Sequence, residues 1–211
     1  MRFLVVSDIH SDFSKLKKIL ESDDFDIVLI AGDITNFRAS DILIVDKIVG
    51  KHCSECFAVH GNCDPEEMLR YSLDHITFIH SRSVKLPDFT IHGIGGSTYT
   101  PFATPSEYSE EQIERFTKNF EFSDFNILLT HCPPKGILDK TYNGENAGSE
   151  AIRKILNKFD VVFCGHIHEA YGVERVGNTI VINTGPVIWG RYVIFDFKKF
   201  SIEFKSIRID V

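Results

Sequence analysis

Hydrophobic and polar residues alternate in blocks along most of the chain. Five short runs rich in Val, Ile, Leu and Phe each lead into a polar residue that can bind a metal: FLVVSD, DIVLIAGD, CFAVHGN, NILLTH and DVVFCGH. Near-continuous apolar runs of this length are typical of strands buried on both faces, in sheets that helices cover. The pattern therefore predicts an α/β fold whose strands end in polar side chains.

Four further stretches begin with residues that commonly cap helices. The expected caps and helices are Ser40 for residues 40–49, Asp64 for 64–73, Ser109 for 109–116 and Ser149 for 149–159. Side chains of these types accept hydrogen bonds from the first backbone N–H groups of a helix. In the first stretch Ile42, Val45 and Val49 share one face, and in the third Gln112 completes a capping box with Ser109.

The end of the chain changes in character. The segments TIVINTG, RYVIFDF and FSIEFKSIRI predict successive antiparallel strands joined by short turns. No linker or repeat interrupts the chain, so residues 1–211 are interpreted as a single domain.

Composition and charge limit the kinds of partner. The chain has 43% hydrophobic residues and 18 Phe, enough for a large core, whereas a net charge of −7 argues against a nucleic-acid-binding surface. No membrane span or signal peptide is indicated. Five cysteines, including the pair Cys53 and Cys56 with CxxC spacing, favour free thiols over disulfides or a zinc site. We therefore expect a cytoplasmic protein, with its oligomeric state left open.

The polar residues at the strand ends predict a metal site. Ligands of open α/β sheets bind beyond the carboxyl ends of the strands, so these side chains should meet at one edge. The candidate ligands are Asp8, His10, Asp33, Asn62, His131, His166 and His168. They are too many for one tetrahedral zinc, and nitrogen and oxygen donors suit Mn, Fe, Zn, Ni or Co. A shared carboxylate would let them bind two ions about 3.5–4 Å apart, which clamp a phosphoryl group and generate a hydroxide between them.

Each of these motifs, taken alone, also has a purely structural explanation. An Asp after a strand is commonly a turn residue, and His131 before Pro133 could be a hydrogen-bonded core histidine. The segment GHIH is more specific, because alternate residues of an extended segment, here His166 and His168, point the same way. The prediction of a metal site therefore rests on the order of all five strand-end motifs.

This order of motifs resembles the calcineurin-like metallophosphoesterase superfamily. The matching residues are Asp8-x-His10, Gly32-Asp33, Gly61-Asn62, His131 and Gly165-His166-x-His168. The segments HCPPKGILD and CGHIHEAYG resemble the small stand-alone prokaryotic members described as Icc-related, and the segment 93–113 resembles archaeal relatives. The resemblance covers most of the chain and implies a four-layer fold, with two facing mixed β-sheets flanked by helices.

The resemblance also implies how two ions are bound. One ion would be held by Asp8, His10, Asp33 and His168, and the other by Asp33, Asn62, His131 and His166. Asp33 would then bridge the ions. We predict Asp33, Asn62, Cys63 and His131 as the catalytic residues, of which Cys63 is not one of the implied metal ligands.

Cys63 departs from the commonest form of the family motif. Many members have a histidine at this position, which is thought to donate a proton to the leaving oxygen or to stabilise the transition state. A thiol donates protons and hydrogen bonds less well than an imidazolium at neutral pH. Our hypothesis is that Cys63 favours phosphodiesters over alkyl phosphomonoesters. The alternative is a small side chain that fills space between a strand and a helix.

Two candidate substrate contacts lie outside the motifs. The aromatic and proline-rich loop 97–109 could form a lid over the non-phosphate half of a substrate through Tyr99 and Phe102, or be a plain surface loop. Arg38 could bind a phosphate oxygen, or be a solvated residue at a helix start.

We therefore predict a phosphoesterase that depends on two divalent metal ions and uses a metal-bridging hydroxide as nucleophile. A phosphodiesterase acting on small nucleotides or cyclic nucleotides is the first interpretation, and a broad phosphomonoesterase the second. Nuclease activity on long DNA fits the acidic charge poorly. A non-catalytic scaffold on the same fold would be expected to lack ligands, and every expected ligand is present.

Overall fold

The computed structural model describes residues 1–208 and contains two six-stranded mixed β-sheets. The strands are β1 (Arg2–Val6), β2 (Ile27–Ala31), β3 (Cys56–Val59), β4 (Ile76–Phe78), β5 (Ser83–Lys85), β6 (Thr90–Ile94), β7 (Asn126–Thr130), β8 (Val161–Cys164), β9 (Gly172–Val176), β10 (Thr179–Asn183), β11 (Arg191–Asp196) and β12 (Ser201–Ser206). The α-helices within these residues are α1 (Phe13–Leu20), α2 (Ile42–Val49), α3 (Glu110–Phe116) and α4 (Glu150–Ile155).

The two sheets have related topologies. In the first sheet the strand order is β12-β11-β1-β2-β3-β4. Strands β1 to β4 are parallel to one another, and β11 is antiparallel to both of its neighbours, β1 and β12. In the second sheet the order is β5-β6-β7-β8-β10-β9, and β6, β7, β8 and β10 are parallel. Parallel neighbours require crossover connections, and these bring helices onto the sheet faces.

Side chains of the central strands point alternately to the two faces of each sheet and fill three apolar layers. In β1, Phe3 and Val5 face the core between the sheets, whereas Leu4 and Val6 face the core shared with α1 and α2. Leu128 of β7 lies in a third core together with residues of α3 and α4. Successive residues of a strand point to opposite faces, so strands buried on both sides need apolar residues at every position. The α/β fold with two facing mixed sheets flanked by helices is thus confirmed.

The helix predictions have mixed outcomes. Ser109 and Gln112 form the predicted capping box of α3, and the Ser149 side chain caps α4. Ser40 is not a helix cap, because it lies inside a 3-10 turn that precedes α2. The predicted helix at 64–73 is a 3-10 helix over Glu66–Arg70, which has no side-chain cap. Helix α1, which the Asp12 side chain caps, was not among the predicted helices.

The prediction for the tail is right for one pair of strands and wrong for the other. Strands β11 and β12 pair antiparallel as expected. Strand β10 does not pair with β11, because it lies in the second sheet between β8 and β9. Ile209, the last residue of the predicted final strand, lies outside the described residues.

One buried acid fixes an edge of the first sheet. Asp46 of α2 is 5% exposed, and its carboxylate accepts hydrogen bonds from the backbone N–H groups of Asp74, His75 and Ile76, at 3.2, 2.9 and 2.9 Å. These contacts hold the start of β4 against α2. Asp46 therefore has a structural role far from the strand-end residues.

None of the helices between residues 1 and 208 combines the length and the apolar character needed to cross a bilayer.

Candidate metal centre

The carboxyl ends of strands from both sheets meet at one edge of the molecule. Backbone hydrogen bonds join the loops there: Asp8 N–H donates to the carbonyl of Gly32 at 3.0 Å, and His10 N–H to that of Asp33 at 2.9 Å. Across the sheets, the His131 side chain reaches the carbonyl of Ala31 at the end of β2, with 2.8 Å between its Nδ1 and the oxygen. The loops that carry the candidate ligands are therefore held together by the fold itself.

The structure brings all seven candidate ligands into one cluster. His168 Nε2 lies 3.2 Å from Asp8 Oδ1, and the rings of His10 and His168 have centroids 5.6 Å apart. Asp33 Oδ2 lies 3.6 Å from His10 Nε2 and 3.5 Å from His131 Nε2. Asn62 and His166 join the cluster through His131. The side-chain oxygen of Asn62 lies 2.9 Å from His131 Nε2, and the ring centroids of His131 and His166 are 4.9 Å apart.

Asp33 is the link between two parts of this cluster. Its donor oxygen lies within 4.8 Å of donor atoms of His10 and Cys63 in one group, and of Asp8 and His131 in another. The Cys63 backbone N–H donates to Asp33 Oδ1 at 2.8 Å, so the carboxylate is fixed on one side and turns its other oxygen to the histidines. This is the geometry expected of a shared ligand.

The electrostatics of the cluster are dominated by buried acid–imidazole pairs. Asp8 and Asp33 are 0% and 3% exposed. Burial alone raises the pKa of Asp33, but the charge of His131, its hydrogen bond and the charge of His10 outweigh burial and lower this pKa below its ordinary value. Burial lowers the pKa of His131, but Asp33 and Asp8 raise it to about 9. The protonated His131 ring thus compensates part of this buried negative charge.

The neighbouring histidines respond differently to the same surroundings. Burial and the positive charge of His131 lower the pKa of His166 to about 4, so its ring is neutral and able to bind a metal. In His168 the hydrogen bond and charge of Asp8 outweigh burial and raise the pKa. The neutral His166 ring therefore lies beside the acid-paired ring of His131, with 4.9 Å between the centroids.

His131 is oriented as metal-binding histidines commonly are. Its Nδ1–H donates to the Ala31 carbonyl, which leaves Nε2 pointing at Asn62 and Asp33. Without metal, a proton on Nε2 satisfies these acceptors, and a divalent cation would take its place. Nitrogen and oxygen donors in this number fit two divalent ions of the Mn, Fe, Zn, Ni or Co type.

Three glycines allow the ligands to approach one another. A Cβ on Gly32 would meet the ring of His131 at 2.5 Å, and a Cβ on Gly165 would meet the Asp8 carboxylate at the same distance. A Cβ on Gly61 would lie 2.1 Å from Asp33 Oδ1 and 2.2 Å from the Asp33 backbone nitrogen. The glycine before each of these strand-end ligands therefore leaves space for a ligand from a neighbouring strand.

The backbone is strained where the ligands are attached. Asp8, His10, Asp33 and His166 have φ values of 53°, 44°, 48° and 68°, in the left-handed region that residues other than glycine rarely adopt. Such conformations cost about 1–3 kcal/mol each and persist where the surrounding structure enforces them, commonly at functional sites. Six other non-glycine residues among 1–208 also have a positive φ, so the strain agrees with a functional site but does not by itself identify one.

Asp64 has a different role from the predicted one. It is completely buried and accepts hydrogen bonds from the backbone N–H groups of Ile34, Thr35 and Gly61, at 3.0, 2.7 and 2.8 Å, and from the Thr35 hydroxyl. Burial and the charge of Asp33 raise its pKa to about 6, against the effect of these hydrogen bonds. Instead of capping a helix, Asp64 ties the loop after β2 to the loop after β3.

The predicted substrate contacts lie on the exposed surface. Arg38 is exposed on the segment that follows Asp33, and Tyr99 and Phe102 are 70% and 80% exposed in the loop 97–109. Trp189 is 37% exposed and lies beside His168, with 5.5 Å between the ring centroids. Of these four side chains, Trp189 is the one that the structure places against a candidate ligand.

Two residues near the ligands were missed in the sequence. Thr104 accepts a hydrogen bond from Asn62 Nδ2 at 3.0 Å and donates to Glu107 at 2.6 Å. No local pattern points to them, because the contact between Thr104 and Asn62 spans 42 positions of the chain and Glu107 joins it only through Thr104. Among residues 1–208, Cys53 and Cys56 belong to no cluster of candidate metal donors, and both are free thiols.

Comparisons with known proteins agree with this geometry. Residues 1–170 match the sequence profile of the calcineurin-like phosphoesterases. The uncharacterized protein MJ1162 of Methanocaldococcus jannaschii is 34% identical over 212 residues, which cover 94% of this chain and 93% of that protein.

Solved structures of similar fold cover almost the whole chain. The structure of TT1561 of Thermus thermophilus has a TM-score of 0.72 at 15% identity, and the match covers 98% of this chain and 99% of that one. A structure described as a novel archaeal phosphodiesterase has a TM-score of 0.58 at 18% identity, covering 98% and 100%. At these identities the likeness shows a shared fold.

Proposed function

Because the chain belongs to the calcineurin-like phosphoesterases, which are metal-dependent phosphoester hydrolases, we propose that it is a phosphodiesterase for small substrates. Nucleotides and cyclic nucleotides are the favoured substrate class. The observation that carries the proposal is the convergence of seven nitrogen- and oxygen-bearing side chains around Asp33 at one edge of both sheets. A scaffold that had lost catalysis would not be expected to keep this complete set.

The proposed ligand sets share Asp33. One ion is assigned to Asp8, His10, Asp33 and His168, and the second to Asp33, Asn62, His131 and His166. When bound, two such ions supply a hydroxide nucleophile and neutralise negative charge on the phosphoryl oxygens. The protein positions these groups through the backbone bonds and the close glycine contacts described above.

Cys63 supports the preference for diesters. Its Sγ lies within 4.8 Å of donor atoms of His10 and Asp33, and the side chain is 9% exposed. Burial and the charge of Asp33 raise the pKa of this thiol far above its ordinary value, so it is a poor proton donor to a leaving group. The leaving group decides how far hydrolysis depends on such a donor, so this thiol favours phosphodiesters whose leaving group needs little protonation over alkyl phosphomonoesters.

The exposed side chains around the cluster are proposed to contact the rest of the substrate. Arg38 is assigned to a phosphate oxygen, which its planar guanidinium suits. Tyr99 and Phe102 are assigned to the non-phosphate half, where exposed rings offer stacking surface for a nucleobase.

Chelation and metal replacement test the proposal directly. We expect protein stripped with a chelator to hydrolyse bis-p-nitrophenyl phosphate at least about tenfold more slowly, and Mn²⁺ to restore the rate. A screen of cyclic nucleotides, dinucleotides and monoesters with the Mn²⁺-loaded protein then defines the substrate class. Folded protein that binds Mn²⁺ and hydrolyses none of these would contradict the proposed function.

The substitution Cys63→His tests the basis of the diester preference. An imidazole at this position supplies a proton donor suited to neutral pH, so turnover of alkyl phosphomonoesters is expected to rise at least about tenfold. Turnover of bis-p-nitrophenyl phosphate, whose leaving group needs little protonation, should change less. Cys63→Ser serves as the matched control, and equal monoester rates in both variants would assign the thiol to space filling.

A further inference from the structure

We propose that Thr104 and Glu107 are positioning residues that fix the side-chain amide of Asn62 with its oxygen turned toward the metal centre. This inference rests on the proposed metal centre and adds residues from outside the family motifs to it. Its basis is a chain of hydrogen bonds that crosses from the loop 97–109 to the end of β3.

The chain of hydrogen bonds has a defined direction. Glu107 Oε1 accepts from the backbone N–H of Thr104 at 2.8 Å and from the Thr104 hydroxyl at 2.6 Å. A hydroxyl has one proton, and here that proton goes to the carboxylate. The Thr104 oxygen is therefore left as an acceptor, and it accepts from Asn62 Nδ2 at 3.0 Å.

This arrangement distinguishes the two ends of the Asn62 amide. With Nδ2 directed to Thr104, Oδ1 faces His131 Nε2 at 2.9 Å, which is the assigned position of the second ion. The opposite orientation would present an NH₂ group to a cation and a carbonyl oxygen to an acceptor. Asn62 is 5% exposed, so solvent cannot readily satisfy the amide in either orientation.

The surroundings of Glu107 favour its carboxylate form, which accepts the hydrogen bond from the Thr104 hydroxyl. Thr100 also donates to Glu107 Oε1, at 2.5 Å. Burial raises the pKa of Glu107, but the hydrogen bonds from Thr100 and Thr104 outweigh it and lower this pKa, so the side chain stays an acceptor. A carboxylate is a stronger acceptor than an amide, so the Thr104 proton stays on the Glu107 side.

The loop that carries these residues is itself anchored to the site. The Ser106 backbone N–H donates to the carbonyl of Asn62 at 3.0 Å, and its hydroxyl donates to the carbonyl of Asp64 at 2.5 Å. The part of the loop around residues 104–107 is therefore a fixed wall of the site. The tip with Tyr99 and Phe102 is highly exposed by comparison.

Thr104 is the main acceptor for the Asn62 amide when the second ion is bound. Without metal, His131 can donate its Nε2 proton to Asn62 Oδ1. A cation in place of that proton would also attract Oδ1, and the acceptors for Nδ2 would then be the Thr104 oxygen at 3.0 Å and the weakly accepting Cys63 sulfur at 3.6 Å. Loss of the Thr104 oxygen leaves a buried donor poorly satisfied in the metal-bound state, and such donors are costly.

Metal binding by threonine variants tests the inference independently of catalysis. Metal-stripped wild type, Thr104→Val, Thr104→Ser and Thr117→Val are titrated with Mn²⁺, and free Mn²⁺ is followed by electron paramagnetic resonance. We expect Thr104→Val to weaken one of two Mn²⁺ sites by about 10–100-fold, the usual effect of removing a partner of a metal ligand. Thr104→Ser keeps the hydroxyl and should restore wild-type affinity. The Thr117 hydroxyl donates to the Glu114 carbonyl at the end of α3 and takes no part in this chain of hydrogen bonds, so Thr117→Val should leave the affinity unchanged.

A double-mutant cycle separates amide orientation from loop structure. In an Asn62→Asp background the side chain has no N–H to satisfy and two equivalent oxygens. Thr104→Val is then expected to change Mn²⁺ affinity by less than about twofold, which would show coupling between the two positions. A tenfold loss in this background would overturn the proposal, because Thr104 would act through the loop as a whole.

The outcomes for this inference and for the proposed function can be told apart. Equal Mn²⁺ binding by Thr104→Val and wild type overturns the inference, even if both hydrolyse phosphodiesters. The predicted weakening of one site supports it, even if no phosphodiester proves to be a substrate. Wild type that binds no second Mn²⁺ overturns it together with the dinuclear centre.

Discussion

The Asp33→Asn variant is expected to fold and to lose about 10³-fold or more in turnover of phosphodiesters, or about 4 kcal/mol of transition-state stabilisation. Asparagine keeps the shape of the side chain but removes its charge. Asp33 Oδ2 lies 3.6 Å from His10 Nε2 and 3.5 Å from His131 Nε2, so the substitution removes the charge between the two ligand sets. Divalent ions contribute several kcal/mol of charge stabilisation in such sites, and this contribution depends on their being held there.

The measurements are initial rates with saturating Mn²⁺, together with Mn²⁺ stoichiometry. Asp46→Asn is the matched control, because Asp46 is also a buried carboxylate that accepts backbone N–H groups but belongs to the edge of the first sheet. It should lower thermal stability and leave the rate per folded molecule within about twofold of wild type. If Asp33→Asn keeps more than a tenth of wild-type turnover with two ions bound, Asp33 is not the shared ligand.

The candidate site was predictable because its residues follow a rule of topology. The strands that precede Asp33, Asn62 and His131 are short, apolar and parallel to their neighbours, so their carboxyl ends meet. Sequence shows both the apolar run and the polar residue after it. When both sheets contain parallel strands that end in polar residues, the polar ends of both sheets can meet at one edge of the molecule.

Residues that act through long-range contacts could not be predicted in the same way. The segment around Asp64 and Pro65 has every local feature of a helix start, yet the Asp64 carboxylate binds Ile34 and Thr35, about thirty positions away. Local propensity and tertiary contacts compete for the same side chain, and here the buried N–H groups of the neighbouring loop win. Thr104 is a similar case, because only the folded loop shows that it meets Asn62.

The error in the tail also has a physical cause. Apolar alternation identifies β10 and β11 as strands, but it does not say which strands they pair with. The segment between them crosses from the second sheet to the first through a 3-10 turn at Val187–Trp189. Strand β11 is paired on both sides, with β1 and with β12, so β10 finds no free edge there and pairs with β8 instead.

The Gly61→Ala variant is expected to lose about 10²-fold or more in turnover and about 3 kcal/mol of stability, at the upper end for overpacking. The added Cβ would lie 2.1 Å from Asp33 Oδ1 and 2.2 Å from the Asp33 backbone nitrogen. A backbone atom cannot rotate away, so the ends of β2 and β3 must separate. Because Asp33 is then displaced from His10 and His131, a single methyl group disturbs both proposed ligand sets.

Gly144→Ala is the control that separates crowding from backbone strain. Gly144 has a φ of 80° and open space around its Cα, so alanine there is strained but meets no neighbour. It should lower the free energy of unfolding by about 1 kcal/mol and leave turnover and Mn²⁺ binding unchanged, because it lies outside the cluster. Denaturant melts and Mn²⁺ titrations of both variants make the comparison. Wild-type Mn²⁺ affinity in Gly61→Ala would mean that the loops can separate without moving the ligands, and close approach of β2 and β3 would then not be what positions Asp33.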